Sequence, residues 1–485
     1  MIPSVKVTKN DGNTGVVAPS ARGVCAIIAP SEKGTANSPL SVTKASTALT
    51  TFGQGELVDY AAHIMAVAGR PVVLVRGTAS TAGTYSAVTF TGTGTSVATA
   101  GATAPYDDYN VLVTIVAGGT RGVDGITYTY SLDGGLVTSA VTALGVATSI
   151  VIPNSNVTIL LAAGTLVAGD TIALTTTGPR MSTADVSTAL EALRVSALGW
   201  EMVVVGGHDA VKATVDAIDT WLAAREAEGK YRGFVVNARM KNAGETEAQY
   251  LTAMTTAWSA TASIRGCVGA DGGDLTSSIP GRGITQRRRT ALALIARLMK
   301  VDYGVDAAYV GDGPVSGFGL SDANGNPKHH DELYYPGLDA IRLVTLRTFD
   351  RRNGTFITNP LTIASAGSDF VYAQHIRTMN RACELAYDVL LGQLSKGVNK
   401  NPSPGPTGEI YIAEEDAARI DALVNAALNE LRGQVADIRF TLSRTDDIGA
   451  NGPVTLNGDL EISPLAYAKE FNVNAAFVRT ISATQ

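Results

Sequence analysis

The sequence predicts a multidomain α/β protein carrying an inserted all-β segment and extended arms at both ends. Three observations predict it. Short apolar runs alternate with helix-period segments on both sides of residue 85–180. Between those flanks the composition changes abruptly. Residues 471–477 then place Phe471, Val473, Ala475 and Phe477 on one side of an alternating stretch near the end. Period 3.6 marks helices and period 2 marks half-buried strands, so the change of period along the chain is a change of architecture.

Taken in order, residues 1–20 read as an extended N-terminal arm, with Val5 and Val7 alternating. GVCAIIAP (23–30) reads as a buried strand. ELVDYAAHIMAVAG (56–69) follows as a helix with Leu57, Tyr60, Ala61, Ile64, Met65 and Ala68 inward, and PVVLVR (71–76) as a second buried strand. From 85 to 180 there are seven charged residues and no Lys or Glu. YNVLVTIVAGG, GITYTYSLDGG, ATSIVIPNSN and DTIALTTTG each alternate and end in turn residues, which predicts an inserted sandwich-like β domain of about 100 residues. From 181 to 345 strand and helix patterns alternate again, predicting a mainly parallel sheet flanked by helices. Helices are expected at 185–195, 209–227, 248–260 and 287–300. Residues 346–459 hold a strand pair, a helix over 370–394, a Pro/Gly-rich spacer, a helix over 414–433 opened by three acids and stopped by Gly433, and a strand with Ile438, Phe440 and Leu442 on one face. Acids suit the positive end of the helix dipole. Residues 460–485 read as a second arm, whose apolar face needs a partner strand.

The composition excludes several functions. Charged residues are 17% of the chain and the net charge is -6, which argues against nucleic acid as the main partner. Three separated cysteines, Cys25, Cys267 and Cys383, support neither a disulfide framework nor a zinc site. No charged-then-apolar leader opens the sequence and no uninterrupted apolar run spans a bilayer, so neither secretion by a signal peptide nor membrane insertion is expected.

GGHDA (206–210) sits between a strand and a helix, the position of a ligand in open sheets. It lacks the spacing of a dinucleotide loop and reads as a β–α turn with Asp209 as helix cap. GADGGDL (269–275) carries Asp271 and Asp274 without the ligand set of a calcium loop and reads as a solvated turn. His329, His330, Asp331 and Glu332 are adjacent on one loop and read as surface. No catalytic, cofactor or metal residue is assigned, and no enzyme activity is expected. Arg287, Arg288 and Arg289 are the odd feature: three cations in the first turn of an expected helix, where the dipole disfavours them. They are either a solvated helix start capped by Thr285 or, with Arg282, an electrostatic patch facing acids of another subunit.

The order of these pieces resembles the sheath proteins of contractile phage tails. The resemblance rests on GVCAIIAPSEKG, FG, the following helix and GRPVVLVRG near the start, then DAIRLVTLRTF and TFITNPLTIASAGSDFVYAQHIRTMNRA, then the final helix and two-strand tail. It covers residues 1–80 and 200–485. It implies that segments 21–84 and 346–459 join into one α+β inner assembly domain, that 181–345 is a middle domain and that 85–180 is an outer insertion. It further implies a helical homopolymer linked by donated strands (Val5 and Val7; Phe471, Val473, Ala475 and Phe477), surrounding a tail tube protein, with baseplate and tail terminator at its ends. Such a chain is assembled in a bacterial cytoplasm and becomes part of a virion tail. The sheath of a pyocin-like or secretion-type particle is the near alternative; a soluble α/β enzyme with its site near 206–209 is the distant one.

Overall fold

The computed structural model describes residues 23–242, 244–279, 281–321, 328, 337–365, 367–403, 405–406, 408–449 and 454–469. Val5, Val7, Phe471, Val473, Ala475 and Phe477, and the cluster 329–332, lie outside the described residues. The chain divides into two compact units, Met1–Asp388 and Val389–Gln485.

The first unit is built on a seven-stranded sheet. Its order is Leu40–Val42, Val72–Arg76, Cys25–Ala29, Met202–Val205, Gly233–Asn237, Gly266–Gly269 and Leu343–Val344. Only the first pair is antiparallel. The strands are near-continuous apolar runs because both faces are covered. Cys25, Ile27 and Ala29 face helices Ala45–Phe52, Glu56–Ala68 and Thr290–Lys300. Ala26 and Ile28 face the opposite layer, with helices Thr183–Val195, Lys212–Glu226 and Glu247–Trp258.

This topology corrects the expected division of the chain. Residues 23–84 and the α/β segment beyond 181 share one sheet and so are not separate domains, while Leu346, Ile357 and Ala373 from the 346–459 segment join the core that also holds Cys25, Leu57 and Leu74. The physical reason is register. Cys25–Ile28 pairs residue for residue with Met202–Val205, and Cys25–Ala29 pairs with Val72–Arg76 on its other side, so neither segment could bury its strands alone.

The β segment leaves this sheet after Val72–Arg76 and returns before Thr183–Val195. Its two connectors are zipped together: Thr81 N–H donates to Arg180 O (3.1 Å) and Arg180 N–H to Thr81 O (2.9 Å). Inside it, Asn110–Ala117 is flanked by Thr127–Ser131 and Thr171–Thr177. A three-stranded sheet of Ser149–Ile152, Val157–Leu161 and Ala98–Ala100 lies in the same segment. Val111, Val113, Ile115, Ile150, Ile159 and Ile172 form its core, joined by Ile284 from the α/β body.

Helix starts follow their capping chemistry. Thr183–Val195 begins at a reciprocal Ser182–Asp185 box and Glu247–Trp258 at a Thr246–Gln249 box, each satisfying two otherwise unpaired N–H groups. The expected helix over 287–300 starts instead at Thr290, because Thr285–Arg289 is a strand paired antiparallel with Gly272–Thr276. Buried Asn237 pins that helix to the sheet: its Oδ1 accepts from Ala291 N–H at 2.9 Å, and its Nδ2 donates to Asp271 O at 3.0 Å.

In the second unit, helix Glu414–Leu428 packs on a hairpin of strands Asp437–Leu442 and Gly458–Ser463. Phe440 and Leu442 are buried there, and Ile438 is half-buried. The boundary expected at 460 falls inside the second strand, so Leu460–Ser463 belongs to this folded unit and not to a free arm.

Candidate functional site at the carboxyl edge of the sheet

An open parallel sheet has one privileged position: the crevice where successive strands leave in opposite directions. Here it lies beyond Ala29 and Val205, at the ends of neighbouring strands although 172 residues of chain come between them. The loop 206–209 stands there. Its glycines are required by close approach: a Cβ on Gly207 (φ +61°) would come within 2.3 Å of Pro30, and one on Gly206 within 3.1 Å of the Tyr60 ring.

Arginines fill the crevice. Arg289 Nη1 reaches Glu56 Oε1 at 2.7 Å and its Nη2 reaches Asp209 Oδ1 at 2.8 Å. Arg288 holds Asp107 through both carboxylate oxygens, at 2.8 and 2.6 Å, and also binds Asp59. Arg282 contacts Asp59 at 3.0 Å and lies 5.9 Å over the Tyr109 ring. Arg180 binds Asp108 at 2.7 Å and stands 3.6 Å from Glu56. Four arginines thus meet five carboxylates drawn from the Glu56–Ala68 helix, the β segment and the switch-point loop.

Arg288 and Arg289 are each only 2% exposed. Burial alone would lower both guanidinium pKa values, but Asp107 and Asp59 around Arg288, and Glu56 and Asp209 around Arg289, outweigh it and hold both well above the ordinary value. Burial opposes ionisation of Asp107, yet Arg288 and then Arg282 bring its carboxyl below the usual value. Asp209 follows the same pattern, with Arg289 prevailing over burial. Burial pushes the Tyr109 phenol up, and Asp107 adds to the effect.

These positions correct the sequence reading of the arginines. They precede the helix, and Arg288 and Arg289 face acids of their own chain. Arg282 also pairs internally, and Arg287, the most exposed of the three consecutive ones, binds Asp271 at 2.7 Å. Asp209 caps no helix: the next one starts at Lys212 after Val211, and Asp209 is committed to Arg289. His208 has both ring nitrogens engaged, with Met181 O at 2.7 Å and Thr214 Oγ1 at 2.9 Å. Asp271 accepts from Lys241 N–H as well as from Arg287, and Asp274 binds Ser321. Among the described residues, no three His, Cys, Asp or Glu side chains are grouped to hold a metal, and no helix is long and apolar enough to cross a membrane.

The acids missed by sequence reasoning were Glu56, Asp59, Asp107 and Asp108. One signal pointed to the last two: they are adjacent carboxylates in a segment with almost no charge. Beside the network a cleft of about 1160 Å³ opens, walled by Asp108, Tyr109, Arg239, Lys241, Arg287 and Arg289 among others. Arg239 is tied to Glu245 at 2.6 Å.

Residues 2–360 match the family model described as DUF2586, N-terminal domain. The chain belongs to the DUF2586 family. No curated protein matches this sequence. Among solved structures, this DUF2586 chain is similar to a sheath tail protein of Listeria innocua at 12% identity and TM-score 0.45, covering 91% of this chain and 95% of that one. It is also similar to a sheath tail protein of Desulfitobacterium hafniense at 12% identity and TM-score 0.46, covering 95% and 100%. A chain of the contracted anti-feeding prophage baseplate matches at 12% identity and TM-score 0.47, covering 98% of each.

Two predictions follow from the buried charges. Asp107→Ala leaves Arg288 buried without its bidentate partner and is expected to destabilise the first unit by about 3–5 kcal/mol, read as a lower urea midpoint. The second concerns His63, buried against Phe318 with ring centroids 5.3 Å apart. Burial lowers its pKa from 6.5 to about 4, with Asp59 pulling the other way. The unfolded chain therefore takes up this proton first as pH falls, and stability declines between about 6.5 and 4, by up to about 3 kcal/mol. Asp107 and Asp209, held low, add their loss only at still lower pH. His63→Leu is expected to flatten the decline above pH 4; parallel curves for both proteins would contradict this.

Proposed function

We propose that this protein is the repeating structural subunit of a contractile sheath. Its copies stack as a helical homopolymer around a tail tube protein, between baseplate and terminator, and contraction drives the tube through a host envelope. The β segment 85–180 lies on the outer side. The particle is a phage tail, assembled in a bacterial cytoplasm, or the equivalent pyocin-like or secretion-type device.

The observation that carries this reading is the hairpin of the second unit. A two-stranded sheet is marginal by itself, and among the described residues no third strand joins Asp437–Leu442 and Gly458–Ser463. Strand addition from another copy completes such a sheet through directional main-chain bonds. A head-to-tail contact of this kind, when its rotation does not close, propagates into a filament. The order of sequence segments resembling contractile tail sheaths supports the same reading. An enzyme working at 206–209 is favoured by no observation, since Arg289 and the ring contacts of His208 occupy that loop.

Electron microscopy of the purified full chain tests this. Rings, tubes or sheath-like polymers are expected. A small discrete oligomer at every concentration, with nucleotide hydrolysis lost in Asp209→Ala, would instead establish the enzyme.

A further inference from the structure

The β segment stands out for what its surface lacks. Soluble strands ordinarily carry Lys and Glu on their solvent faces, and these keep the sheets of separate molecules apart. Residues 85–180 contain neither. Their seven charged residues are all placed elsewhere. Asp107, Asp108 and Arg180 belong to the ion network. Asp133 accepts from Thr285 N–H at 3.1 Å and Asp170 from Val167 N–H at 2.7 Å, and both are buried. Arg121 and Asp124 share the turn between Gly119–Thr120 and Thr127–Ser131.

Two uncharged solvent faces remain, on opposite sides of one core. Val111, Val113, Ile150 and Ile159 meet in that core, and side chains alternate along a strand. Leu112 and Thr114 therefore point away from it on one sheet, and Val151 and Leu160 on the other. Ten of the twenty exposed large hydrophobic residues among the described ones lie in this segment, so the exposure is concentrated, as at an interaction surface.

The two faces differ. On the three-stranded sheet Val97, Leu160 and Val151 are 61%, 45% and 58% exposed. Leu160 lies opposite Ser149 on one side and Thr99 on the other, and Val151 lies opposite Thr158. Ala162 N–H donates to Val97 O at 2.8 Å, which sets Val97 beside Ala162 in the next row. The three aliphatic side chains thus form a diagonal stripe across three strands, edged by Thr99, Thr158 and Ser149. On the other sheet Thr91, Thr171, Thr114 and Thr129 stand opposite one another in one row across four strands, with Leu112 in the next row.

We propose that the aliphatic stripe of one copy packs on the threonine row of the next. The inference rests on the polymer reading above and adds to it a contact between described surfaces of the β segments. Charge selects the occupant. A face without ions is matched by another face without ions, because a charged partner would lose hydration there and gain no counterion. The same segment supplies two such faces. A sugar polymer fits less well, since Tyr85, Phe90 and Tyr130 pack against the core and leave no aromatic platform on either face. Thr99, Thr158 and Ser149 bring hydroxyls to those of the threonine row, so the contact need not bury them unpaired. Because the faces lie on opposite sides of the segment, the contact is head-to-tail and propagates from copy to copy.

The test uses full-length chains. One variant carries Val151→Glu and Leu160→Glu on the stripe, and a second carries Thr114→Lys and Thr171→Lys on the row. All four positions face solvent in the single chain, so each variant is expected to keep native circular dichroism. Each should need a roughly tenfold or higher concentration to assemble, because ions are pressed against a neutral face. A chain carrying all four substitutions should return to within about threefold of the wild type at low salt and weaken as salt rises, because opposite charges then meet. If a paired variant loses its fold, Leu160→Ser removes the centre of the stripe without adding charge and should raise the same concentration by roughly fivefold. Wild-type polymer together with unimpaired assembly of these variants would overturn the proposal and leave the polymer reading standing. Impaired assembly that the four-substitution chain does not recover would show that the two faces do not meet each other. A wild type that never polymerises would remove the underlying reading itself.

Discussion

The ion network around Arg288 and Arg289 is the constraint on which the first unit depends. Removing one member of a buried pair strands a charge in a poorly solvated place, and such losses are among the largest a single substitution produces. Here the members come from distant parts of the chain. Arg288 meets Asp107 across 181 positions and Asp59 across 229. The β segment, the helix Glu56–Ala68 and the strand Thr285–Arg289 are therefore held in one arrangement. The β segment is an insertion in sequence, but it is not a detachable one: cutting it out would also remove Asp107 from Arg288 and its core from Ile284.

The same network explains what the carboxyl edge of the sheet does. In an open α/β fold that edge is where a ligand is expected. In this chain Arg289 spans it from Glu56 to Asp209, and the glycines of the 206–209 loop let Pro30 and Tyr60 close over the strand ends. The edge is thus a junction between the Glu56–Ala68 helix and the switch-point loop.

Much of the fold was legible in local pattern. The runs around Ile27, Val73, Val204 and Val235 are apolar throughout because both faces of the sheet are covered, and the alternation around Val111 and Val113 shows a strand with one covered face. The arginines were misplaced for a physical reason. The helical period of 290–300 runs on into 287–289 without a breaker, so the boundary at Thr290 exists only because Gly272–Thr276 pairs with Thr285–Arg289. The acids of Arg288 and Arg289 lie 80 to 233 positions away and leave no trace in spacing. The one legible anomaly was electrostatic: three cations at a helix start. The bonds of Asn425 to the main chain of Phe440 were likewise invisible, since an asparagine within a helix reads as surface until the strand it serves is placed beside it.

The central claim is that the β segment and the α/β body of the first unit form one cooperative structure through this network. Native-state hydrogen exchange at increasing urea tests it most directly. The account predicts that protected amides of Asn110–Ala117 and of Met202–Val205 open together in the wild type, and that Asp107→Ala separates them, with the β segment opening first. Separate opening of the two sets in the wild type would contradict it.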